Sequence, residues 1–314
     1  MSGGALIIGG TGFVGRHLAR QLSRRYRVKA TGREHDVRHA KRLLGLVSRL
    51  EPEIVVNLAA VTTVAESFQD PRETLEIGVI GLLNVLTALR DCGFRGRLLH
   101  VSSSEVYGFP QASELPLSEA SPLRPMSPYA AAKAAGEMLC RQWAEQAAFS
   151  ILVARPFTHI GPGQSARFAV AKFANQIAEI MARRKRPVIE VGRLDATRDL
   201  TDVRDVARAY ELIMHAGHHG QVYNVCSGRE VTMRQVLDLL IRRSAVDIEV
   251  AENRLLYREA EQQRLRGSYA ALGAATGWMP EIPLTQTLAD VLAAAVGSRE
   301  VTRCPTGLTP MPAA

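Results

Sequence analysis

Three groups of residues in this sequence have the types and spacing for chemistry on a carbonyl group. The first is Tyr129-Ala-Ala-Ala-Lys133. Four positions apart on a helix, the phenol and the ammonium share one face, and the positive charge is expected to lower the phenol's pKa toward working pH. The second is Ser102-Ser103-Ser104-Glu105 at the end of an apolar stretch. There the Ser103 hydroxyl would bond the same carbonyl oxygen that the phenol protonates. The third is Gly9-Gly10-Thr11-Gly12-Phe13-Val14-Gly15, which follows a strand-like run and opens a helical one. Glycines at 9, 12 and 15 let backbone amides and a helix N-terminus approach a pyrophosphate. Each group has a plainer reading: Tyr-x-x-x-Lys arises by chance, and the glycines alone make a tight strand-to-helix turn. Their order along one chain points to a dinucleotide site beside a proton donor.

The second strand candidate ends at Ala30-Thr31-Gly32-Arg33, where an NAD-specific site places Asp or Glu on the adenosine 2′-hydroxyl. No acid stands there. Arg33 can pair with a 2′-phosphate, so NADP is expected over NAD, with Glu34 adjacent and a solvated loop arginine as the plainer alternative.

To position these groups the chain alternates short β-branched runs with longer helical patterns. Strands are expected at Ala5–Ile8, Arg27–Ala30, Ile54–Leu58, Leu98–Ser102 and Ile151–Ala154, and helices at about Phe13–Arg24, Thr74–Asp91 and Tyr129–Gln146. That alternation implies an α/β fold of the Rossmann type, a doubly wound parallel sheet. After Arg155 glycine, proline and arginine become frequent. A smaller C-terminal α/β substrate lobe is expected from residues 156–197 and 229–297, with a helix at Phe168–Arg183 and a strand at Val188–Val191. The stretch 198–228, with a helix at Val203–His215 and a strand at Val222–Val225, is expected to return to the main domain of residues 1–155. Residues 298–314, with three prolines and no apolar periodicity, read as a flexible tail.

Composition narrows the function. At 314 residues, 46% hydrophobic and 22% charged, the chain can bury a sizeable core, which excludes disorder. No apolar run approaches the roughly 18 residues of a membrane span and no basic leader begins the chain, so a cytoplasmic protein without membrane contact is expected. The net charge of +8 invites a nucleic-acid reading, but only five of the basic residues are lysines, the charge is dispersed and aromatics are 5%. An anionic small substrate fits better. Cys92, Cys140, Cys226 and Cys304 stand far apart, and His35 with His39 lacks a third ligand, so neither a disulfide nor a metal site is signalled.

Together the motifs resemble the extended short-chain dehydrogenase/reductase family over about Ala5 to Val296. Arg155-Pro156-Phe157-Thr158-His159-Ile160-Gly161-Pro162-Gly163-Gln164, Arg198-Asp199-Leu200-Thr201-Asp202-Val203 and Val222-Tyr223-Asn224-Val225-Cys226-Ser227-Gly228 are similar to its GDP-6-deoxy-4-keto-D-mannose reductases, which form GDP-D-rhamnose. The resemblance implies Tyr129 as proton donor, Lys133 as cofactor-ribose and tuning lysine, and Ser103 as the polarising hydroxyl. It also implies adenine contacts from Asp36 and Val37, and a cofactor wall from Leu58, Ala59 and Ala60. A GDP-sugar would be held by Ser104, Glu105, Thr158, Arg198 and the Arg258-x-x-Glu261 element, and a homodimer would form through Thr74–Asp91 and Tyr129–Gln146. Plainer readings stand beside these, since Arg198 with Asp199 forms an ordinary surface ion pair and Arg258 with Glu261 an i, i+3 helix pair. Two positions depart from the family pattern: Thr158 replaces an Asn expected to bond the substrate, and Gly78 replaces an Asn behind Lys133.

The reading this favours is NADPH-dependent reduction of the C4 ketone of a GDP-6-deoxy-4-keto-hexose, giving GDP-D-rhamnose or its C4 epimer. The nearest rival is a GDP-mannose 4,6-dehydratase, with Glu105 as the base that takes the C5 proton. A non-catalytic dinucleotide sensor shares the fold, but such sensors usually lack the Tyr-x-x-x-Lys pair.

Overall fold

A computed structural model describes residues 3–61, 63–257 and 263–300, with side chains up to residue 297. From the amino end, β1 (Gly4–Ile8), α1 (Phe13–Leu22), β2 (Arg27–Ala30), α2 (Ala40–Leu50) and β3 (Ile54–Asn57) alternate. There follow α3 (Val64–Gln69), α4 (Pro71–Leu75), a π-helical turn (Glu76–Ile80) and α5 (Gly81–Asp91). Then come β4 (Arg97–Val101), a 3-10 turn (Ser104–Tyr107), α6 (Pro128–Ala144) and β5 (Ser150–Pro156). The rest comprises β6 (His159–Ile160), α7 (Ala169–Met181), β7 (Val188–Val191), β8 (Thr197–Asp199), β9 (Thr201–Asp202), α8 (Val203–Ala216) and β10 (Val222–Val225). It ends with β11 (Glu230–Thr232), α9 (Met233–Ser244), β12 (Glu249–Glu252), α10 (Ala270–Thr276) and α11 (Leu284–Glu300).

Six strands make one parallel sheet in the order β2-β1-β3-β4-β5-β10. Because successive side chains alternate across a strand, β1 sends Ala5 and Ile7 to one face and Leu6 and Ile8 to the other. α1, α8 and α10 cover the first face through Leu18, Leu22, Tyr210, Ile213 and Leu272, with Trp278 just beyond α10. α2, α5 and α6 cover the second through Leu43, Val47, Leu82, Leu86 and Cys140. Burial on both sides explains why β1 and β3 are continuous runs, whereas β2, at the sheet edge, alternates Arg27 and Lys29 outward with Val28 and Ala30 inward. Chain order reverses between β1 and β3, so the carboxyl ends of the strands open a crevice at that switch point.

A second core joins α7, α9 and α11 to β7 and β12 through Phe173, Ile177, Val236, Leu240, Leu288 and Leu292. β10 pairs with β5 in the main sheet although the chain has by then passed through this second core. Two expectations are corrected. The stretch expected as one helix at Thr74–Asp91 is broken by the π turn, in which Gly78 lies against α6. The last helix also runs to Glu300, three residues into the stretch expected as tail, carried through Gly297 with no proline to break it before Pro305.

Candidate active site

The glycine turn is a cradle defined by what it excludes. Gly9 has φ 74°, and a Cβ there would meet Ala59 N and Leu58 C at 3.0 Å. A Cβ on Gly10 would lie 2.8 Å from Ala30 Cβ, and one on Gly15 would overlap the Gly10 carbonyl. The turn is thereby pressed against the ends of β2 and β3 and against the first turn of α1, an approach only glycine permits. Gly12 caps α1 with no side-chain hydrogen bond, which leaves the leading amides of the helix without a side-chain partner, as in phosphate cradles. This arrangement fits a dinucleotide. Val14 turns into the core and Phe13 stays half-buried at the rim. Leu58, Ala59 and Ala60 are half-buried beside Gly9, with Leu58 N donating to Ile8 O at 2.9 Å and Ala59 N to Asn57 Oδ1 at 3.2 Å.

At the end of β2, Arg33 is exposed and Glu34 folds back, its carboxylate accepting from Gly32 N at 2.8 Å. Arg38 holds the Asp36 carboxylate at 2.6 Å, which lowers that group's pKa. Val37 is buried against the Gly81 side of α5, and its carbonyl accepts from Asn84 Nδ2 at 2.9 Å.

Ser103, Tyr129 and Lys133 come together at the carboxyl end of β4. Ser127 caps α6 by accepting from Ala130 N at 3.1 Å and Pro128 starts the helix, which fixes Tyr129 in its first turn. The half-buried Tyr129 hydrogen-bonds Ser103, whose Oγ also accepts from Glu105 N at 3.2 Å. Lys133, 3% exposed, donates from Nζ to Val101 O at 2.6 Å and lies 5.8 Å from the Tyr129 ring centre. Ser104 is buried and Glu105 half-buried in the 3-10 turn.

The electrostatics correct the expectation for Tyr129. Burial pushes its phenol up to about 12, the Glu105 charge adds to the rise, and only the Ser103 bond opposes it. Burial also pushes Lys133 down to about 8, against the pull of Glu137. In the absence of ligand, desolvation outweighs the attraction assumed from the four-residue spacing. Near neutral pH the phenol therefore keeps its proton and Lys133 is largely charged.

Behind the lysine lies a buried polar network that the motif reading missed. Arg155 grips Glu137 with Nε to Oε1 at 3.0 Å and Nη2 to Oε2 at 2.6 Å, while Ser102 Oγ donates to Glu137 Oε1 in a short bond. Arg155 Nη1 reaches Tyr107 OH at 2.9 Å, and Tyr107 OH donates to Asn224 Oδ1 at 2.7 Å, tying α6, β5, the 3-10 turn and β10 together. The available signal was a glutamate one turn beyond Lys133 on the core face of an alanine-rich helix.

On the opposite side the His159–Gln164 segment lies over the first turn of α1. Arg16 Nη2 donates to Gly163 O at 3.2 Å, His17 Nε2 lies 3.1 Å from Pro162 O, and the Phe13 and His159 rings stack at 6.2 Å. Neither Arg16 nor His17 had been singled out. Thr158, half-buried between β5 and β6, accepts at its carbonyl from Thr201 N at 3.0 Å. Arg198 lies in β8, paired with β11, and its Nη1 donates to Thr197 O at 2.7 Å. The surface ion pair considered for Arg198 and Asp199 does not describe the site: Asp199 is fully buried and accepts from Ser227 N and Oγ, Gly228 N and Gly267 N at 2.6–3.1 Å. Arg258 and Glu261 lie outside the described residues. Among the described residues no group of three or more His, Cys, Asp or Glu side chains is placed to hold a metal, and no helix is long and apolar enough to cross a membrane.

Comparisons with known proteins agree with this geometry. The chain is 41% identical over 91% of its length, and 95% of the relative's, to the GDP-6-deoxy-D-mannose reductase of Pseudomonas aeruginosa. It is 26% identical to the GDP-mannose 4,6-dehydratase of Vibrio cholerae over 82% of this chain and 76% of that one. Among solved structures, RMD from Pseudomonas aeruginosa complexed with NADPH superposes with a TM-score of 0.88 at 40% identity, covering 94% of this chain and 99% of that one. The model of the NAD dependent epimerase/dehydratase family matches residues 5–226, which span the glycine cradle, the serine strand and the Tyr129–Lys133 pair. The chain belongs to that family.

Proposed function

We propose that the protein is an oxidoreductase that reduces the C4 ketone of GDP-6-deoxy-4-keto-D-mannose with NADPH, giving GDP-6-deoxy-D-mannose, which is GDP-D-rhamnose. The observation that carries this reading is the meeting of Tyr129, Ser103 and Lys133 at the crevice beside the glycine cradle. The reductase relative at 41% identity supports the substrate, and the NADPH complex of the 40% identical neighbour supports the cofactor. Gly9–Gly15 would hold the pyrophosphate, Arg33 the 2′-phosphate and Lys133 the nicotinamide ribose. When bound, NADPH supplies the hydride that C4 gains.

The remaining work belongs to the side chains. Tyr129, protonated at neutral pH, gives its proton to the carbonyl oxygen as that oxygen gains electron density, and the C4 ketone becomes a hydroxyl. Ser103 donates a hydrogen bond to the same oxygen and fixes its distance from the phenol. Lys133 stabilises the phenolate left behind, an interaction made only once the proton has moved. Ser104, Glu105 and Thr158 would contact the hexose, while Arg198 with Arg258 and Glu261 would hold the GDP from the second core, which acts as the substrate lobe. A homodimer through α5 and α6 is part of this reading.

Dehydration of GDP-mannose is the second reading, favoured by Glu105 lying close enough to Tyr129 for its charge to raise the phenol's pKa. Purified protein is expected to oxidise NADPH stoichiometrically when given the 4-keto sugar nucleotide, and to form no 4-keto product from GDP-mannose. Dehydration of GDP-mannose without net cofactor use, abolished by Glu105→Gln, would establish the dehydratase instead.

A further inference from the structure

Glu137 stands one helical turn beyond Lys133, 3% exposed, and is held from two further elements. Ser102 Oγ on the β4 side donates to Oε1, and Arg155 on β5 clasps both oxygens at 2.6–3.1 Å. Ser102 adjoins Ser103, and Val101, before it, offers the carbonyl that Lys133 grips at 2.6 Å. One carboxylate therefore braces the backbone carrying Ser103, clasped by Arg155 and one helical turn from Lys133, in a dry part of the protein. Arg155 is 5% exposed and Lys133 3%, so neither charge is solvated by bulk water.

We propose that Glu137 is a positioning residue for the reaction: its charge, one helical turn from Lys133, keeps that ammonium charged, and its bond from Ser102 holds the strand end whose Val101 carbonyl Lys133 grips, so setting the upper pH limit of activity. The proposal rests on the roles given above to Tyr129 and Lys133.

The other groups facing this cluster do not titrate in the range that matters. His100 is fully buried and held neutral by burial and by Lys133. Burial raises the Cys140 thiol, and the Tyr107 phenol stands at about 12. Tyr129 stands at about 12 as well. Arg155 is raised by its bonds to Glu137 and stays charged, and Glu119 turns its carboxylate to Asn224 N at 2.7 Å. That leaves Lys133, at about 8, as the group that loses its proton on the alkaline side.

The test is the pH profile of kcat for NADPH-linked reduction of the 4-keto sugar nucleotide, from pH 5.5 to 10. Glu137→Gln keeps size and one acceptor but removes the charge, so the alkaline limb should move at least about one pH unit toward acid. Turnover then falls about tenfold above both limbs and stays within about threefold at pH 6. Glu137→Asp keeps the charge and is expected to leave the limb in place even if kcat falls. NADPH titration at pH 6 without sugar should stay within about threefold of wild type, showing that the cradle is intact. A loss in Glu137→Gln that is equal at every pH, or an unmoved limb, overturns the proposal. If Glu137→Gln does not fold because Arg155 is left unpaired, Glu137→Gln with Arg155→Gln decides by the same profile. Activity retained by Lys133→Met would instead overturn the underlying assignment, whereas an inactive Lys133→Met beside a wild-type limb in Glu137→Gln refutes the role of Glu137 alone.

Discussion

Gly78→Ala is the substitution that tests most sharply how the active site is braced. A Cβ at this position would lie 2.9 Å from Ala132 Cβ, whereas ordinary contact begins at 3.4 Å, so about half an ångström must be found. The neighbour cannot swing away, because Ala132 has no rotamer and is 3% exposed in the middle of the turn between Tyr129 and Lys133. Either α6 retreats or the π turn Glu76–Ile80 does. Overpacking of this kind costs about 1–3 kcal/mol, seen as a lower urea midpoint at unchanged slope. Retreat of α6 also carries Tyr129 and Lys133 from the serine strand. Since roughly 1 Å of misplacement costs about a hundredfold, half of that predicts about a tenfold loss of kcat. The assay is NADPH oxidation with the 4-keto sugar nucleotide, alongside NADPH titration, which should change by less than about threefold because Gly78 presses on α6 and the glycine turn presses on β2 and β3. Wild-type kcat in a variant destabilised by more than about 1 kcal/mol would show that the π turn yields and that α6 is not positioned through Gly78.

Two further predictions concern charge. Arg33→Ala is expected to weaken NADPH about ten- to hundredfold while leaving NADH nearly unchanged, since a charge-assisted contact of about 1.5–3 kcal/mol is lost only where a 2′-phosphate exists; equal weakening in titrations of both cofactors would refute it. Glu230, held by Arg264 and by Thr197, has its carboxylate lowered to about 2 from 4.5. A depressed acid contributes stability above its unfolded pKa and loses it as pH falls toward the folded one. Glu230→Gln should therefore melt about 1–2 °C below wild type at pH 6, and the gap should narrow below pH 4.5 and close only as pH falls to about 2; a gap independent of pH would contradict the assignment.

Much of this was legible in the sequence because the governing physics is local. The runs at β1 and β3 are apolar on both faces, as a parallel sheet covered on both sides requires, while the edge strand β2 alternates, and the boundaries of all three fall within a residue of expectation. Gly9 and Gly15 are needed by turn geometry and close approach, which sequence records directly. The Glu137–Arg155 pair was not legible, since it joins residues of α6 and β5 that only the packed sheet brings together. The π turn was hidden for a related reason: Glu76-Ile77-Gly78-Val79-Ile80 continues an ordinary helical pattern, and the irregularity arises where Gly78 meets Ala132. The direction of the Tyr129 shift was missed because spacing reveals a neighbouring charge but not how much water is removed.

The central claim is that Tyr129 protonates the sugar oxygen while NADPH reduces C4. It is tested most directly by single-turnover NADPH oxidation with the 4-keto sugar nucleotide, comparing wild type with Tyr129→Phe. The ring is kept and only the phenol oxygen is lost, so NADPH binding should change by less than about threefold while the hydride step slows by about a hundred- to ten-thousandfold. A Tyr129→Phe enzyme that oxidises NADPH within about tenfold of the wild-type rate would contradict the account.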